Sequence, residues 1–207
     1  MTFNEFCRAY KRLEANGGVY SWSGLDKALI TLCQTNPRHV SRDDVYAKVR
    51  IINRAYLANL QFGVRGAEWE VAKKLVKEKA DTMMAPLHQC SCFSVQTLPI
   101  VLGVHEKLVK LTHRVTKKLQ NSFVSKYLHF HFPNAVPIFD KKAYEASWKL
   151  APAKSQLAKY DGCLNCDFCY HSHSILRIMN MLRKRRVNSP SLKLIDVLLY
   201  DPSEGEV

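Results

Sequence analysis

Asp140 follows a run of residues that cannot be helical throughout: Pro133, Asn134, Ala135, Val136, Pro137, Ile138 and Phe139. Proline fixes φ and removes a backbone donor, so this run reads as an extended, apolar connector. It delivers one carboxylate to the start of the next helix. An aspartate there caps free backbone N–H groups. The same geometry can set a carboxylate beside a pocket, where it stabilises developing positive charge or orients a water. The two roles are compatible. Lys141 and Lys142 follow at once and are suited to a phosphate.

A second constellation could hold metal. Cys163, Cys166 and Cys169 recur every third residue, followed by His171 and His173. Zinc takes four ligands of these types, and three cysteines with His171 or His173 would supply them. A continuous helix would instead line the thiols along one face, leaving them unmetallated. No cofactor is the expectation, with zinc at this run as the competing assignment. Cys90, Cys92 and His88 resemble a further ligand set, but no pattern brings them near the first.

The elements that must position these groups are helices. Phe3, Phe6, Cys7, Tyr10 and Leu13 fall at helical spacing and predict a helix from Thr2 to Ala15, stopped by Gly17 and Gly18. Trp22 to Cys33 predicts a second. Ser41 caps a third, with Asp44 three residues on, running to Gly63. Further helices are predicted over Gly66–Lys79, Ile100–Lys118, Asn121–Phe130, Asp140–Trp148, Cys166–Val187 and Leu192–Leu199. The stretch 82–98 reads as irregular, Pro152 opens a loop, and the tail from Asp201 reads as frayed. In the helix from Asn121, Phe123, Val124, Tyr127 and Leu128 make a buried face. Ser122, Ser125, Lys126 and His129 make the opposite, polar face. No pair of segments reads as a strand hairpin. The predicted class is all-α, a single domain over 1–207, divisible into a lobe of 2–40 plus 141–200 and a lobe of 43–139.

Composition bounds the partners. The chain has 207 residues, 47% hydrophobic and 24% charged, which suits a folded domain. Lys+Arg number 31 against 18 Asp+Glu, a formal net charge of +13. Such an excess points to a polyanion, nucleic acid above all. No run approaches the length of a membrane span. The N-terminus lacks the pattern of a signal peptide. A cytoplasmic protein without membrane contact is therefore expected, its seven cysteines thiols or metal ligands and not disulfides.

The segment from Asn134 to Ala143 resembles the connector of the helix-hairpin-helix (HhH-GPD) DNA glycosylase superfamily. There a helix ends in a short proline-containing connector leading to a catalytic aspartate at a helix N-terminus. Val49 to Asn59 resembles that superfamily's early helix, whose polar residues line the DNA-facing cleft. The likeness spans residues 43 to 150. Ser122, Phe123, Ser125, Lys126 and Tyr127, followed by Pro137, Ile138, Phe139 and Asp140, are also similar to a group of small bacterial and phage proteins. That group ends in a Leu-Lys-x-Ile-Asp element, here Leu192, Lys193, Leu194, Ile195 and Asp196. Phage-defence glycosylases that remove glucosylated hydroxymethylcytosine are among the relatives this suggests. Two features depart from the superfamily. The hairpin region, Arg114 to Asn121, has no glycine. Gln120 lies near the place of the lysine nucleophile of lyase-type relatives.

The resemblance implies a monomeric, monofunctional enzyme that flips a modified base out of duplex DNA and excises it. Asp140 would be catalytic, with Lys126 as its partner or a phosphate contact. Tyr56, Phe139 and Trp148 would stack on the base, Asn53 and Asn59 would read its edges, and His129 would flank the pocket. Lys107, Lys110, Arg114, Lys117, Lys118, Asn121, Ser122, Lys141 and Lys142 would hold phosphates. Asp140 is then expected to face a cationic groove. Arg183, Lys184, Arg185 and Arg186 form either a second DNA contact or a solvated helix end. The competing classes are a non-enzymatic nucleic-acid-binding protein, a zinc-dependent interaction module and, with less to recommend it, a nuclease, since no carboxylate cluster suits two metal ions.

Overall fold

Helix α1 (Phe3–Ala15) starts at a reciprocal cap. The Thr2 hydroxyl accepts the Glu5 N–H, and the Glu5 carboxylate accepts the Thr2 N–H. Its 3.6-residue period buries Phe6, Tyr10 and Leu13 and leaves Arg8, Lys11 and Arg12 in water. The computed structural model describes residues 1–60, 64–152 and 166–205. After α1 come α2 (Ser23–Thr35), α3 (Arg42–Ala55), α4 (Ala67–Lys77), α5 (Ala80–Met84), α6 (Leu98–Thr116), α7 (Asn121–His131), α8 (Lys141–Leu150), α9 (Cys166–Lys184) and α10 (Leu192–Tyr200). Short 3-10 turns lie at Ala85–Gln89 and Pro202–Gly205. Among the described residues there is no strand, and the class is all-α. No described helix is long and apolar enough to cross a membrane.

The described apolar residues form one continuous core. Within it α3 packs on α4 and α7, and α4 and α7 pack on α6. α1 and α8 pack on α10, and α9 packs on α8. Helix α2 joins the two sets by lying against α3 and α7, and α9 touches α6.

Four local expectations need correction. Helix α3 stops at Ala55 and not at Gly63. Asn53 competes for the backbone beyond it: its side-chain oxygen accepts the Leu60 N–H at 3.0 Å, and its carbonyl accepts the Ala58 N–H at 3.0 Å. Leu57 and Asn59 take φ of 46° and 60° in the turn so formed. Residues 61–63 lie outside the described ones. The stretch 82–98 is not irregular throughout, because it holds most of α5, the 3-10 turn after it and the first residue of α6. The polar face of α7 is not solvated: Ser125, Lys126 and His129 are buried. Lastly, the tail is docked. Gly205 sits so close to Ala9 that a Cβ on it would lie 2.4 Å from the alanine methyl, and Glu204 accepts hydrogen bonds from the Ser21 N–H and hydroxyl.

Helices α6 and α7 are joined by a turn that holds no glycine. Lys117 takes the left-handed conformation at φ 58° that glycine favours. The Thr116 hydroxyl accepts the Lys118 N–H at 3.4 Å across the turn.

Burial has a consequence for acid stability. It pushes the imidazoles of His105, His129 and His131 down to about 3 and that of His171 down to about 4. An unfolded chain protonates these rings as pH falls below ~6.5, whereas the folded chain holds them neutral. Proton uptake therefore favours unfolding, and stability declines as pH drops from ~6.5 toward the folded values. The thermal midpoint should be level just above neutrality and fall steadily between ~6.5 and ~4.5. A midpoint unchanged across that interval would contradict the buried, neutral assignment.

Candidate active site

The connector 133–139 is buried from Ala135 to Phe139; the Phe132 carbonyl accepts the Ala135 and Val136 N–H groups, and the remaining backbone groups need partners that no helix or sheet supplies. Side chains supply them. The Phe139 N–H donates to the Ser125 hydroxyl at 2.9 Å. His129 Nδ1 meets the Val136 carbonyl at 2.8 Å, and His171 Nε2 meets the Ile138 carbonyl at 2.7 Å. His171 is oriented by Ser147, whose hydroxyl lies 3.0 Å from Nδ1. Two residues of α7 and one of α9 thus fix the strand of chain that carries Asp140.

Asp140 caps α8, its Oδ1 accepting the Lys142 N–H at 2.9 Å. Its Oδ2 faces the Lys126 ammonium at 3.5 Å. That ammonium is 5% exposed and also donates to the Tyr56 carbonyl at 3.1 Å. Burial pushes it below the usual lysine range, while the Asp140 charge acts the other way. A second lysine continues the pattern. Lys193 lies 3.4 Å from Asp196 and 3.2 Å from Asp26, whose Oδ2 accepts the Tyr20 hydroxyl at 2.5 Å. Burial raises the Asp196 carboxyl, opposed by Lys193 and Lys126. Opposite charges therefore alternate along a largely buried row: Asp140, Lys126, Asp196, Lys193, Asp26.

This row forms one side of a cleft with a cavity of about 160 Å³. Tyr20, Trp22, Tyr56 and Tyr200 line it with rings. Trp22 meets Tyr56 edge-on at 5.9 Å and Tyr200 at 6.2 Å. Lys142 lies over the Tyr200 ring at 4.6 Å. Residues 193–204 of α10 and the tail complete the wall with Asp196, Asp201 and Glu204. The expected cationic groove is thus corrected: four carboxylates line the cleft beside Lys126 and Lys193. α10 and the docked tail bring acids here, while of the predicted phosphate contacts Lys107, Lys110 and Arg114 stand on α6 and only Lys141 and Lys142 stand beside Asp140.

Of the residues predicted for the site, Asp140, Lys126 and Tyr56 line the cleft, and the others do not. Asn53 is buried and donates to Glu68 at 2.6 Å. Asn59 is exposed in the turn after α3. His129 clamps the connector. Phe139 packs among Tyr144, Phe168 and His171. Trp148 meets Tyr170 at 5.8 Å. Lys107, Lys110, Arg114, Lys117 and Lys118 are exposed along α6 and its end. Lys110 is paired with Glu106 at 2.7 Å and Arg114 with Glu78 at 2.8 Å. Asn121 and Ser122 are half-buried at the start of α7, and Lys141 and Lys142 are exposed at the start of α8.

Of its two candidate histidines the metal reading loses His171. Both ring nitrogens of His171 are engaged by Ser147 and Ile138. Cys169 is buried in the core. Cys163 and the Cys166 side chain lie outside the described residues. Among the described residues no group of His, Cys, Asp and Glu could hold a metal ion.

Tyr20, Trp22, Asp26, Lys193, Asp196 and Tyr200 are site residues that the pattern reading passed over. A signal existed for two of them. Lys193 and Asp196 are the only charges on α10, whose other residues are mostly apolar. A lone oppositely charged pair on such a helix marks a buried ion pair.

The HI_0787_N family model, described as an N-terminal domain, matches residues 2–135, more than half of the chain. The chain belongs to the HI_0787_N family. No curated protein and no solved structure matches it. The HI_0787_N segment supplies Tyr20, Trp22, Tyr56 and Lys126 to the cleft, and Asp140, Lys193 and Asp196 come from beyond it. The cleft is therefore assembled across the end of the matched segment.

Ser125 tests the clamp. Ser125→Ala leaves the buried Phe139 N–H without its acceptor and should destabilise the fold by ~1–3 kcal/mol. Urea unfolding measures this. A loss below ~0.5 kcal/mol would mean that the connector does not depend on that bond.

Proposed function

We propose that this chain is a monofunctional DNA glycosylase of the helix-hairpin-helix type. It turns a modified nucleotide out of a duplex into the cleft, hydrolyses the bond between base and sugar, and leaves an abasic site. The observation that carries the reading is the Asp140 carboxylate, 28% exposed and lining an aromatic cavity with its second oxygen uncommitted to the cap. A cavity of ~150 Å³ accepts one aromatic ring. The rings of Trp22, Tyr56 and Tyr200 offer stacking faces and edges for an everted base. The order of helix, Lys117 turn, helix, proline connector and capping aspartate adds support for the architecture.

Breaking a glycosidic bond builds positive charge on the sugar. The fixed Asp140 carboxylate stabilises that charge and orients the attacking water. An acid-lined interior suits such a transition state, because every nearby carboxylate favours a cation. Lys126 is a positioning residue: its ammonium steadies the Asp140 carboxylate. Its ammonium is held by Asp140 and the Tyr56 carbonyl, and this positioning role is in keeping with a glycosylase lacking lyase activity. The sequence resemblance to phage-defence glycosylases suggests a glucosylated hydroxymethylcytosine of phage DNA as the base, its ring in the cavity and its glucose outside it, excised in the cytoplasm.

The test is direct. Genomic DNA from phages with different base modifications is incubated with the protein, and alkali-labile abasic sites are counted. One modification should yield them, and Asp140→Asn should lower the rate at least ~10²-fold. Asparagine keeps an oxygen for the Lys142 N–H but leaves the Lys126 ammonium without its counter-charge, so the thermal midpoint should fall while folding and DNA binding persist at the assay temperature. Full excision by Asp140→Asn, or binding without excision on every DNA tried, would remove the enzymatic reading.

A further inference from the structure

An acid-lined cleft repels phosphates, so a nucleic acid entering it must be held elsewhere. The α6 lysines are poorly placed for this, since Glu106 and Glu78 neutralise Lys110 and Arg114. A different surface has the right charge. Arg8, Lys11 and Arg12 share the exposed face of α1 at helical spacing. Arg8 and Lys11 line two adjoining hollows. One continues to Arg12 and Pro202, and the other to Asn4 and Arg185. Arg185 belongs to the run Arg183 to Arg186 at the end of α9, and its guanidinium donates to the Asn4 side-chain oxygen at 3.0 Å. That bond ties the two cationic elements into one surface.

We infer that this face of α1, with Arg185, holds the phosphodiester backbone of duplex DNA beside the cleft. Among the described residues none of Arg8, Lys11, Arg12 or Arg185 has a carboxylate within ion-pair distance. Glu5 is the carboxylate that lines the hollows, and it is engaged by the Thr2 cap. Cations without a carboxylate in ion-pair distance are the ones that gain most by replacing condensed counterions on a polyanion. The surface also adjoins the cleft. Pro202 borders the hollow, while Asp201 and Glu204 on either side of it in sequence border the cleft. One short turn thus separates a phosphate-binding face from the cavity. A membrane fits less well. The apolar residues of α1 are buried in the core, so this helix has no face to insert at a lipid interface. The identity of the polyanion as DNA rests on the proposed function, whereas the surface itself rests on charge and shape.

The experiment measures binding of the full chain to a short unmodified duplex by fluorescence anisotropy over a range of salt. Arg8→Gln/Lys11→Gln/Arg185→Gln should weaken binding at least ~10-fold at low salt, and should flatten the slope of log K against log salt by about 2–3. Lys107→Gln/Lys110→Gln/Arg114→Gln should change affinity by less than ~3-fold, as surface charges outside the contact do. Hydrogen exchange of the unaltered chain gives a readout free of folding defects: residues 3–12 should gain protection on duplex binding, and the 98–116 helix should not. Equal losses in both triple variants, protection on α6 alone, or tighter binding to vesicles containing anionic phospholipid than to the duplex would overturn the assignment. Failure of the two readings is separable. Binding through α1 with no abasic sites on any DNA sinks the glycosylase and keeps the surface. Abasic sites formed equally fast by the α1 variant at sub-saturating DNA sink the surface and keep the glycosylase.

Discussion

The rest of the site depends on a stretch of buried backbone that has no secondary structure to satisfy it. Ala135 lies in a turn closed on Phe132, and from Val136 to Phe139 the chain runs through the interior with no helix or strand. Its polar groups would cost several kcal/mol in total if left unpaired, at ~1–3 kcal/mol each. Ser125, His129 and His171 meet that requirement from two helices. The same three contacts set the position and direction of Asp140. Placement of the Asp140 carboxylate and satisfaction of the buried backbone are thus one arrangement. This explains why α7 carries polar residues on nearly every side and is nonetheless buried: its polar groups face chain, not water.

Charge is sorted with similar economy. The molecule is strongly cationic as a whole, yet its cleft is lined by more carboxylates than ammonium groups. Net charge describes attraction to a partner at long range, and says nothing about where a partner's charges come to rest. On α6 neighbouring glutamates offset two of the cations. On α1 the cations are left to the solvent. The two faces have similar composition and differ in whether a carboxylate lies within reach.

Much of this was legible in the amino-acid order, for identifiable reasons. Ser41, Asp140 and Ser191 each cap a helix as their types and positions imply, because capping is a local interaction. The role of Asp140 beside a cavity was readable from the two prolines before it. The cavity's other members were not. Tyr20, Trp22 and Asp26 reach Lys193 and Tyr200 only through the packing of α1 and α8 on α10. Phe139 and Trp148 look like pocket aromatics by their nearness to Asp140 in sequence, yet both pack away from it. His171 looked like a ligand by spacing and is a bracket for the connector. Spacing along a chain identifies what a residue can do. It does not identify which of its atoms are already occupied.

The alternating row from Asp140 to Asp26 also bears on how such a chain can change over generations. Each lysine in it serves two carboxylates or a carboxylate and a carbonyl, so neither lysine has a single partner. Loss of one leaves an uncompensated charge in a largely water-free place, which is far more damaging than removing the whole set. Substitutions within the row are therefore strongly non-additive. Descendants should inherit it as a block or lose it as a block, and an intermediate holding part of it would be the least fit of the three.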